Sequence, residues 1–177
     1  LCRSDSQRIN SVFIPACKAS IRLPVQKRIP QPDSRAAGRT EVEDHQTHPV
    51  QNAQCAAESL LVHRDIAAQF LPLAKQRLDK HQVIWHGCPK TCEILGNDII
   101  PATDDDYGTE YLNYEISCKV IDSTDAAIDH INHYNTGHSE AIVTHDYFNA
   151  QRFLDRVDAA AVYVNASTRF TDGGEFG

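Results

Sequence analysis

From residue 51 onward, short apolar runs alternate with stretches whose apolar residues recur at helical spacing. Three helices are predicted between apolar runs that read as buried strands. Such an alternation favours right-handed βαβ crossovers, so the sequence predicts an α/β fold with a largely parallel sheet and flanking helices. The predicted strands cover residues 59–63, 83–85, 116–121, 141–144 and 160–165.

Capping residues and inward apolar positions define the three predicted helices. Asp65, Ser123 and Asp146 are the predicted N-caps. Pro72 falls inside the first helix, and residues 87–97 are predicted to be a loop or a brief helix. The predicted inward positions are Ile66, Phe70, Leu73 and Leu78, then Ala127, Ile128 and Ile131, then Phe153, Leu154 and Val157.

Residues 1–50 differ from the remainder in both pattern and charge. Five prolines interrupt their short apolar runs, such as the run at residues 11–14, so irregular structure is predicted. They carry eight Lys/Arg against five Asp/Glu, whereas residues 51–177 carry nine against nineteen. We interpret residues 1–50 as an unassigned segment, either a disordered leader or, preferably, a mistranslated stretch, and residues 51–177 as a folded α/β unit.

The sequence also limits the partners and the compartment that we expect. The small basic surplus near the N-terminus, without interleaved aromatic residues, argues against nucleic acid. No apolar run approaches the roughly 20 residues that cross a bilayer, and no signal peptide is recognisable, so a cytoplasmic protein without a membrane partner is expected. The 177-residue chain contains no Met, which favours an internal fragment.

Cysteine and histidine spacing offers two candidate metal sites, and neither is favoured. Cys88 and Cys92 lie near His86, but a fourth ligand and paired CxxC spacing are missing, so loop cysteines are the preferred interpretation. His130 and His133 are three apart on a predicted helix, and we interpret them as surface histidines. The six cysteines are expected to be reduced thiols, and no metal is predicted.

A polar, glycine-containing segment follows the last predicted strand. Ligands of parallel sheets gather at the carboxyl ends of strands, which is where residues 165–172 fall. Thr168 and Arg169 offer donors for a substrate carboxylate or phosphate, and the Arg guanidinium is suited to both. The alternative that Arg169 fastens this loop to a neighbouring subunit stays open.

Four motifs resemble one family of enzymes. They are AAESLLVH at residues 56–63, YGTEYL at 107–112, GHSEAI at 137–142 and VYVNASTRFTDGGEF at 162–176. Together they resemble the glutamate-5-semialdehyde dehydrogenase family, also called gamma-glutamyl phosphate reductase, of the aldehyde dehydrogenase superfamily. The resemblance covers roughly residues 54–177 and implies a partial aldehyde-dehydrogenase-type catalytic domain.

The resemblance also implies roles for single residues. Cys55 would be the nucleophile, although ungapped comparison puts Gln54 at that position. Two interpretations stay open. Either a local deletion places Cys55 at the nucleophile position, or Cys55 is there by coincidence and has no catalytic role. Glu110 would hydrogen-bond the nicotinamide ribose, with a solvated acid as the alternative. His138 would lie near the substrate, with a capping loop as the alternative.

The implied reaction is the reduction of L-glutamyl 5-phosphate to glutamate 5-semialdehyde with NADPH, through a cysteine thioester. The partner is then a small-molecule substrate, and formation of a homo-oligomer stays open. Two alternatives come from other functional classes. The chain could be an inactive truncated product, or a non-catalytic assembly module of the same superfamily.

Overall fold

The computed structural model describes the backbone of residues 10–14 and the whole of residues 57–168. The strands within these residues are β1 Asn10–Ile14, β2 Ser59–His63, β3 Ile84–Gly87, β4 Ile100–Pro101, β5 Glu115–Ile121, β6 Ser139–Ile142 and β7 Ala161–Val164. The helices are α1 Arg64–Leu78, α2 Pro89–Leu95, α3 Thr124–Tyr134 and α4 Tyr147–Arg156, with 3-10 turns at Asp79–His81 and Asp105–Gly108.

The strands form one sheet in the order β4-β3-β5-β2-β1-β6-β7. Every pairing among them is parallel. The predicted α/β class with a largely parallel sheet and flanking helices is therefore confirmed. The prediction of irregular structure for residues 1–50 is wrong at residues 10–14, which form β1 and pair with both β2 and β6. The apolar run at residues 11–14 lies within this strand.

The first face of the sheet is covered by α1 and α2. Leu60 and Val62 of β2 point to this face and pack with Trp85 and with Phe70 and Leu71 of α1. All of these side chains are almost completely buried. The first face is thus an apolar core of the ordinary kind, in which burial of hydrophobic area supplies the stabilisation.

The second face is covered by α3 and α4. Leu61 of β2 packs there with Ile128, Ile131 and Phe153, which are all buried. This apolar cluster lies toward the carboxyl ends of the strands. Leu61 is aligned with Lys119 of β5, and this pair is two residues past the pair Ser59 and Ser117. Nearer the amino ends, the same face carries polar side chains.

The connection from β4 to β5, residues 102–114, packs on the second face beside α3. We call this segment the Glu110 loop. Tyr107 of the loop makes an edge contact with His130 of α3, with ring centroids 5.0 Å apart. The loop contains a 3-10 turn but no α-helix, so side chains rather than helical hydrogen bonds must fix much of its path.

Several local predictions are confirmed and others are wrong. Ser123 and Asp146 cap α3 and α4 as predicted, accepting hydrogen bonds from Ala126 N at 3.1 Å and Asn149 N at 2.7 Å. Asp65 is not the N-cap of α1, because the ring of His63 accepts from the Asp65 N–H at 3.2 Å.

The other wrong predictions are the inward positions Leu73 and Leu154, which are 49% and 41% exposed. In α1 the positions that face the sheet include the small residues Ala67 and Ala74, which rotates the buried stripe away from Leu73. Among the described residues no helix has the length and apolar character needed to cross a membrane.

Candidate active site

Two motif segments that are distant in sequence meet at the amino ends of β2 and β5. Glu58, immediately before β2, is 4% exposed, and its carboxyl accepts hydrogen bonds from the backbone N–H groups of Leu112 and Tyr111. Its backbone carbonyl accepts from Ser117 N at 2.9 Å and from Ser117 Oγ at 3.2 Å. Glu58 therefore connects β2, β5 and the Glu110 loop.

The environment of Glu58 favours its neutral form. Burial raises the pKa of its carboxyl to about 8, the negative charge of Glu110 contributes in the same direction, and the backbone donors at Leu112 and Tyr111 oppose the rise. The second carboxyl oxygen, Oε2, has no hydrogen-bond partner among the described residues. At neutral pH the Glu58 carboxyl is therefore largely protonated.

The Glu110 loop is closed by hydrogen bonds around Asp106. This carboxylate accepts from Thr103 N at 2.6 Å and Thr103 Oγ1 at 2.7 Å, and from Tyr111 Oη at 3.0 Å. Burial opposes ionisation, but the Thr103 and Tyr111 bonds and the nearby His86 together lower the pKa of Asp106. The loop is thereby organised around an ionised acid.

Backbone strain marks the end of the loop next to Glu110. Leu112 has φ 50°, in the left-handed region that non-glycine residues rarely adopt. The N–H of this residue is one of the two that bond Glu58. Strain of this kind persists only where surrounding contacts impose it, so the bond to Glu58 helps to fix the turn that presents Glu110.

The predicted site residues fall into three positions relative to the sheet. Glu110 is half-buried in the loop that leads to β5. His138, 9% exposed, precedes β6, so both residues precede amino ends of strands. Thr168, 5% exposed, follows the carboxyl end of β7. Cys55 and Arg169 lie outside the described residues.

Sequence reasoning missed Glu58 as a site residue, although it lies inside a quoted motif. The signal was available, because a carboxylate beside the continuous apolar run of a buried parallel strand is unusual. His86 was considered only as a metal ligand. Instead, its ring lies beneath the Glu110 loop, stacked on Tyr111 with centroids 5.0 Å apart.

The cysteines around Cys88 form a buried polar contact network. Cys88 Sγ lies 3.3 Å from Thr91 Oγ1, which also donates to the carbonyl of Cys118 at 3.3 Å. Cys88, Cys92 and Cys118 are free thiols, and burial raises the pKa of Cys118 to about 12. A search of residues 57–168 finds no group of three His, Cys, Asp or Glu side chains arranged to hold a metal ion.

The interpretation of His130 as a surface residue is wrong. Its side chain is buried at 7% exposure, between the sheet and Tyr107, and its Nδ1 atom lies 3.3 Å from Lys119 Nζ. Burial and the charge of Lys119 lower the pKa of His130 to about 3, so the ring is neutral at ordinary pH. His133, one helical turn on, is exposed as predicted.

Comparison with known sequences shows which enzymes the chain resembles. The sequence profile of the aldehyde dehydrogenase family matches residues 116–177. The chain is 62% identical over 122 residues to gamma-glutamyl phosphate reductase of Dictyoglomus thermophilum, and 62% identical over 125 residues to that of Caldicellulosiruptor bescii. These matches cover 69% of this chain and 29% and 30% of the relatives, so the chain spans about a third of their length.

Solved structures agree with the sequence matches. The crystal structure of gamma-glutamyl phosphate reductase from Thermotoga maritima superposes with a TM-score of 0.70 at 42% identity, covering 96% of this chain and 37% of that one. The Saccharomyces cerevisiae structure of the same name, at 22% identity and a TM-score of 0.55, supports the fold alone. Across its matched residues the chain is a homologue of the gamma-glutamyl phosphate reductases and has the fold of the aldehyde dehydrogenase family.

Proposed function

We propose that this chain carries part of the active site of a cytoplasmic reductase that converts L-glutamyl 5-phosphate to glutamate 5-semialdehyde with NADPH. The observation that carries the proposal is the contact between two family motifs. The Glu58 carboxyl, from the motif at residues 56–63, bonds the backbone of Tyr111 and Leu112, from the motif at residues 107–112. Motif residues that are remote in sequence are thus neighbours around one half-buried acid, Glu110.

Glu110 fits a contact with the nicotinamide ribose. It is half-buried, on a loop held from two sides, and a carboxylate can accept hydrogen bonds from two neighbouring hydroxyl groups. Because the pKa of Glu58 is raised to about 8, Glu58 stays protonated at neutral pH and leaves the negative charge on Glu110. The nicotinamide, when bound, supplies the hydride of the reaction.

The remaining steps are assigned by resemblance to residues of this chain. The Cys55 thiolate attacks the acyl carbon of the substrate, the carbon–oxygen bond to phosphate breaks, and phosphate leaves with the electron pair. Reduction of the resulting thioester releases the aldehyde and regenerates the thiolate. His138, Thr168 and Arg169 are proposed to bind the substrate, with Arg169 pairing with its carboxylate or phosphate.

A non-catalytic assembly role is the second candidate, and one surface feature favours it. Tyr147 and Phe148, at the start of α4, are 71% and 78% exposed and contact each other with ring centroids 5.8 Å apart. Leu154 lies two turns further along the same helix and is 41% exposed. Exposed aromatic and aliphatic side chains on one helix are typical of a surface that self-associates or meets a further domain.

The reductase proposal is tested in a chimera. Residues 57–168 of this chain replace the matching segment of the Thermotoga maritima reductase, whose own nucleophile segment is retained. We expect the chimera to oxidise NADPH in the presence of L-glutamyl 5-phosphate. Changing Glu110→Gln should raise the Michaelis constant for NADPH, or lower hydride transfer, by roughly five- to a hundredfold, because one charge-assisted acceptor is weakened.

Acylation of the thiol should be nearly unchanged in the Glu110→Gln chimera. The matched control is Glu93→Gln on α2, which removes an exposed acid far along the chain from both motifs. Equal losses of acylation and hydride transfer would mean that Glu110 supports only the fold. A folded chimera without reductase activity would favour the assembly role.

A further inference from the structure

We propose that His86 is a positioning residue that holds the Glu110 loop, and with it Glu110, against the second face of the sheet. The inference rests on the proposed function only for what Glu110 binds. The holding itself is argued from contacts of His86 that involve no cofactor. Neither the family motifs nor the predicted roles include this histidine.

The position of His86 in the sheet brings its side chain beneath the loop. In β3 it is aligned with Ser117 of β5, which is in turn aligned with Ser59 of β2. The three residues therefore form one row on the second face, level with the amino end of β2. The loop has to cross this row on its way from the carboxyl end of β4 to the amino end of β5.

The His86 ring contacts one acid on each side of Glu110 in the sequence. Its Nε2 atom hydrogen-bonds Glu115 Oε2 at 3.0 Å, at the residue where the loop enters β5. Its Nδ1 atom lies 3.0 Å from Asp106 Oδ1, an ion-pair distance that lacks the direction of a hydrogen bond. Asp106 belongs to the 3-10 turn in the first half of the loop. One imidazole thus bridges two acids that enclose Glu110 in sequence.

Tyr111, the residue after Glu110, completes the arrangement. Its ring stacks on His86 at 5.0 Å with an interplanar angle of 23°, and its hydroxyl donates to Asp106 Oδ1 at 3.0 Å. Asp106, Tyr111 and His86 therefore form a closed set of three contacts. A change at His86 should release the neighbour of Glu110 directly, without disturbing the apolar core of the first face.

The charge of the ring determines how strongly it can act. The titratable groups that face it are Asp106, Glu115 and Tyr111, while its row neighbours Ile100 and Ser117 are uncharged. A protonated imidazole is attracted to both carboxylates, whereas a neutral ring keeps only the hydrogen bond and the stacking. The hydrogen bond and the stacking therefore hold the loop in either form of the ring.

The experiment measures amide hydrogen exchange in the 177-residue chain. The reporters are the N–H groups of Thr103, Tyr111 and Leu112, which bond Asp106 or Glu58. We expect exchange at these amides to be about tenfold or more faster in His86→Gln than in the unaltered chain. The matched control His81→Gln, at an exposed position in the turn after α1, should change them less than about twofold.

The location of the change separates positioning from general stability. Exchange at the buried amides of α1, which covers the opposite face of the sheet, should be the same in His86→Gln and in the unaltered chain. If circular dichroism shows that His86→Gln does not fold, Glu115→Ala removes one partner and keeps the ring, and it should also accelerate loop exchange.

Two results would overturn the inference. One is unchanged loop exchange in His86→Gln, and the other is an equal change in His86→Gln and His81→Gln. The proposed function fails independently: if Glu110→Gln leaves NADPH binding by the chimera unaltered, Glu110 does not hold the cofactor, while the exchange result for His86 still stands.

Discussion

The two ends of the sheet use polar side chains in different ways. At the carboxyl ends, the side-chain amide of Asn165, after β7, accepts a hydrogen bond from the N–H of Thr144, after β6, at 2.9 Å and donates one to Thr144 O at 2.8 Å. At the amino ends, Glu58 contacts the Glu110 loop with one buried oxygen unpartnered among the described residues. The carboxyl ends of β6 and β7 are thus joined by neutral hydrogen bonds, whereas the amino ends of β2 and β5 are joined to the loop by ionisable groups.

This difference between the two ends of the sheet indicates which of them is better suited to an active site. General experience with parallel sheets points to the carboxyl ends as the ligand site, and the sequence analysis placed Thr168 and Arg169 there. The neutral hydrogen bonds between Asn165 and Thr144, however, contain no group whose charge a ligand or a change of pH would alter. A buried acid whose pKa is about 8, beside a second acid, responds to both.

Removing the ionisable group at the amino end gives the largest expected effect. Between pH 4.5 and about 8 native Glu58 holds a proton that the unfolded chain has released, so the Glu58 contribution to the free energy of unfolding should fall as pH rises across this window. Below pH 6.5 the neutral His130 ring contributes in the opposite direction, so the slope should approach about 1.4 kcal/mol per pH unit only above pH 6.5. Urea unfolding of Glu58→Gln should show no such fall.

The control for Glu58→Gln is Glu93→Gln, an exposed acid of α2, which should keep the slope of the unaltered chain. Stability curves of Glu58→Gln and the unaltered chain that stay parallel from pH 5 to pH 9 would contradict the raised pKa of Glu58.

Crowding the carboxyl end of β3 should give the next effect. A Cβ atom at Gly87 would lie 2.8 Å from Ile99 Cγ2 and 2.9 Å from Thr91 Cγ2, closer than packed atoms allow. Gly87→Ala should therefore lower the free energy of unfolding by about 1–3 kcal/mol, equally at pH 5 and pH 9. Gly108→Ala is the control, since its added Cβ would meet only Tyr134, at 3.8 Å. If the loss of unfolding free energy in Gly87→Ala depended on pH, it would contradict the difference between the two ends of the sheet.

Removing the neutral hydrogen bonds between the residues that follow β6 and β7 should lower the free energy of unfolding somewhat less. Asn165 has φ 55°, so Asn165→Gly keeps the backbone permitted while removing both side-chain hydrogen bonds to Thr144. We expect a loss of about 1–2 kcal/mol without pH dependence, measured by urea unfolding. A loss confined to high pH would show that this end is also coupled to an ionisable group.

The smallest effect concerns a helix cap at the carboxyl end of β5. Ser123→Ala removes the acceptor of the Ala126 N–H and should lower the free energy of unfolding by about 1 kcal/mol. Ser123→Asp, which retains a capping oxygen, should restore most of the loss. Equal stability of the alanine and aspartate variants would mean that solvent satisfies the Ala126 N–H as well as the cap does.

Sequence predicted the elements whose signals are local. Ser123 and Asp146 were identified as caps because the side chain and its acceptor site lie within one turn. The prediction of Asp65 as an N-cap is wrong because the competing acceptor, His63, is not a usual capping residue. The prediction of Leu154 as an inward position is wrong because periodicity gives the direction of an apolar stripe but not its width.

The candidate site was predicted only in part, for a related reason. The motif resemblance singled out Glu110, but the partners that define its surroundings come from other strands. Glu58 meets the loop through strand order, and His86 meets it through the register of β3 with β5. Neither register nor strand order is encoded in a local pattern, so these contacts require the structure.

The two-residue strand β4 has a consequence for how this protein behaves at high concentration. Among the described strands Ile100–Pro101 is the outermost at its side of the sheet, and Pro101 has no backbone N–H to offer an incoming strand. A strand this short, ending in proline, is a poor template for edge-to-edge growth. Ordered aggregation that starts at this margin is therefore discouraged by the chain itself, independently of its net charge.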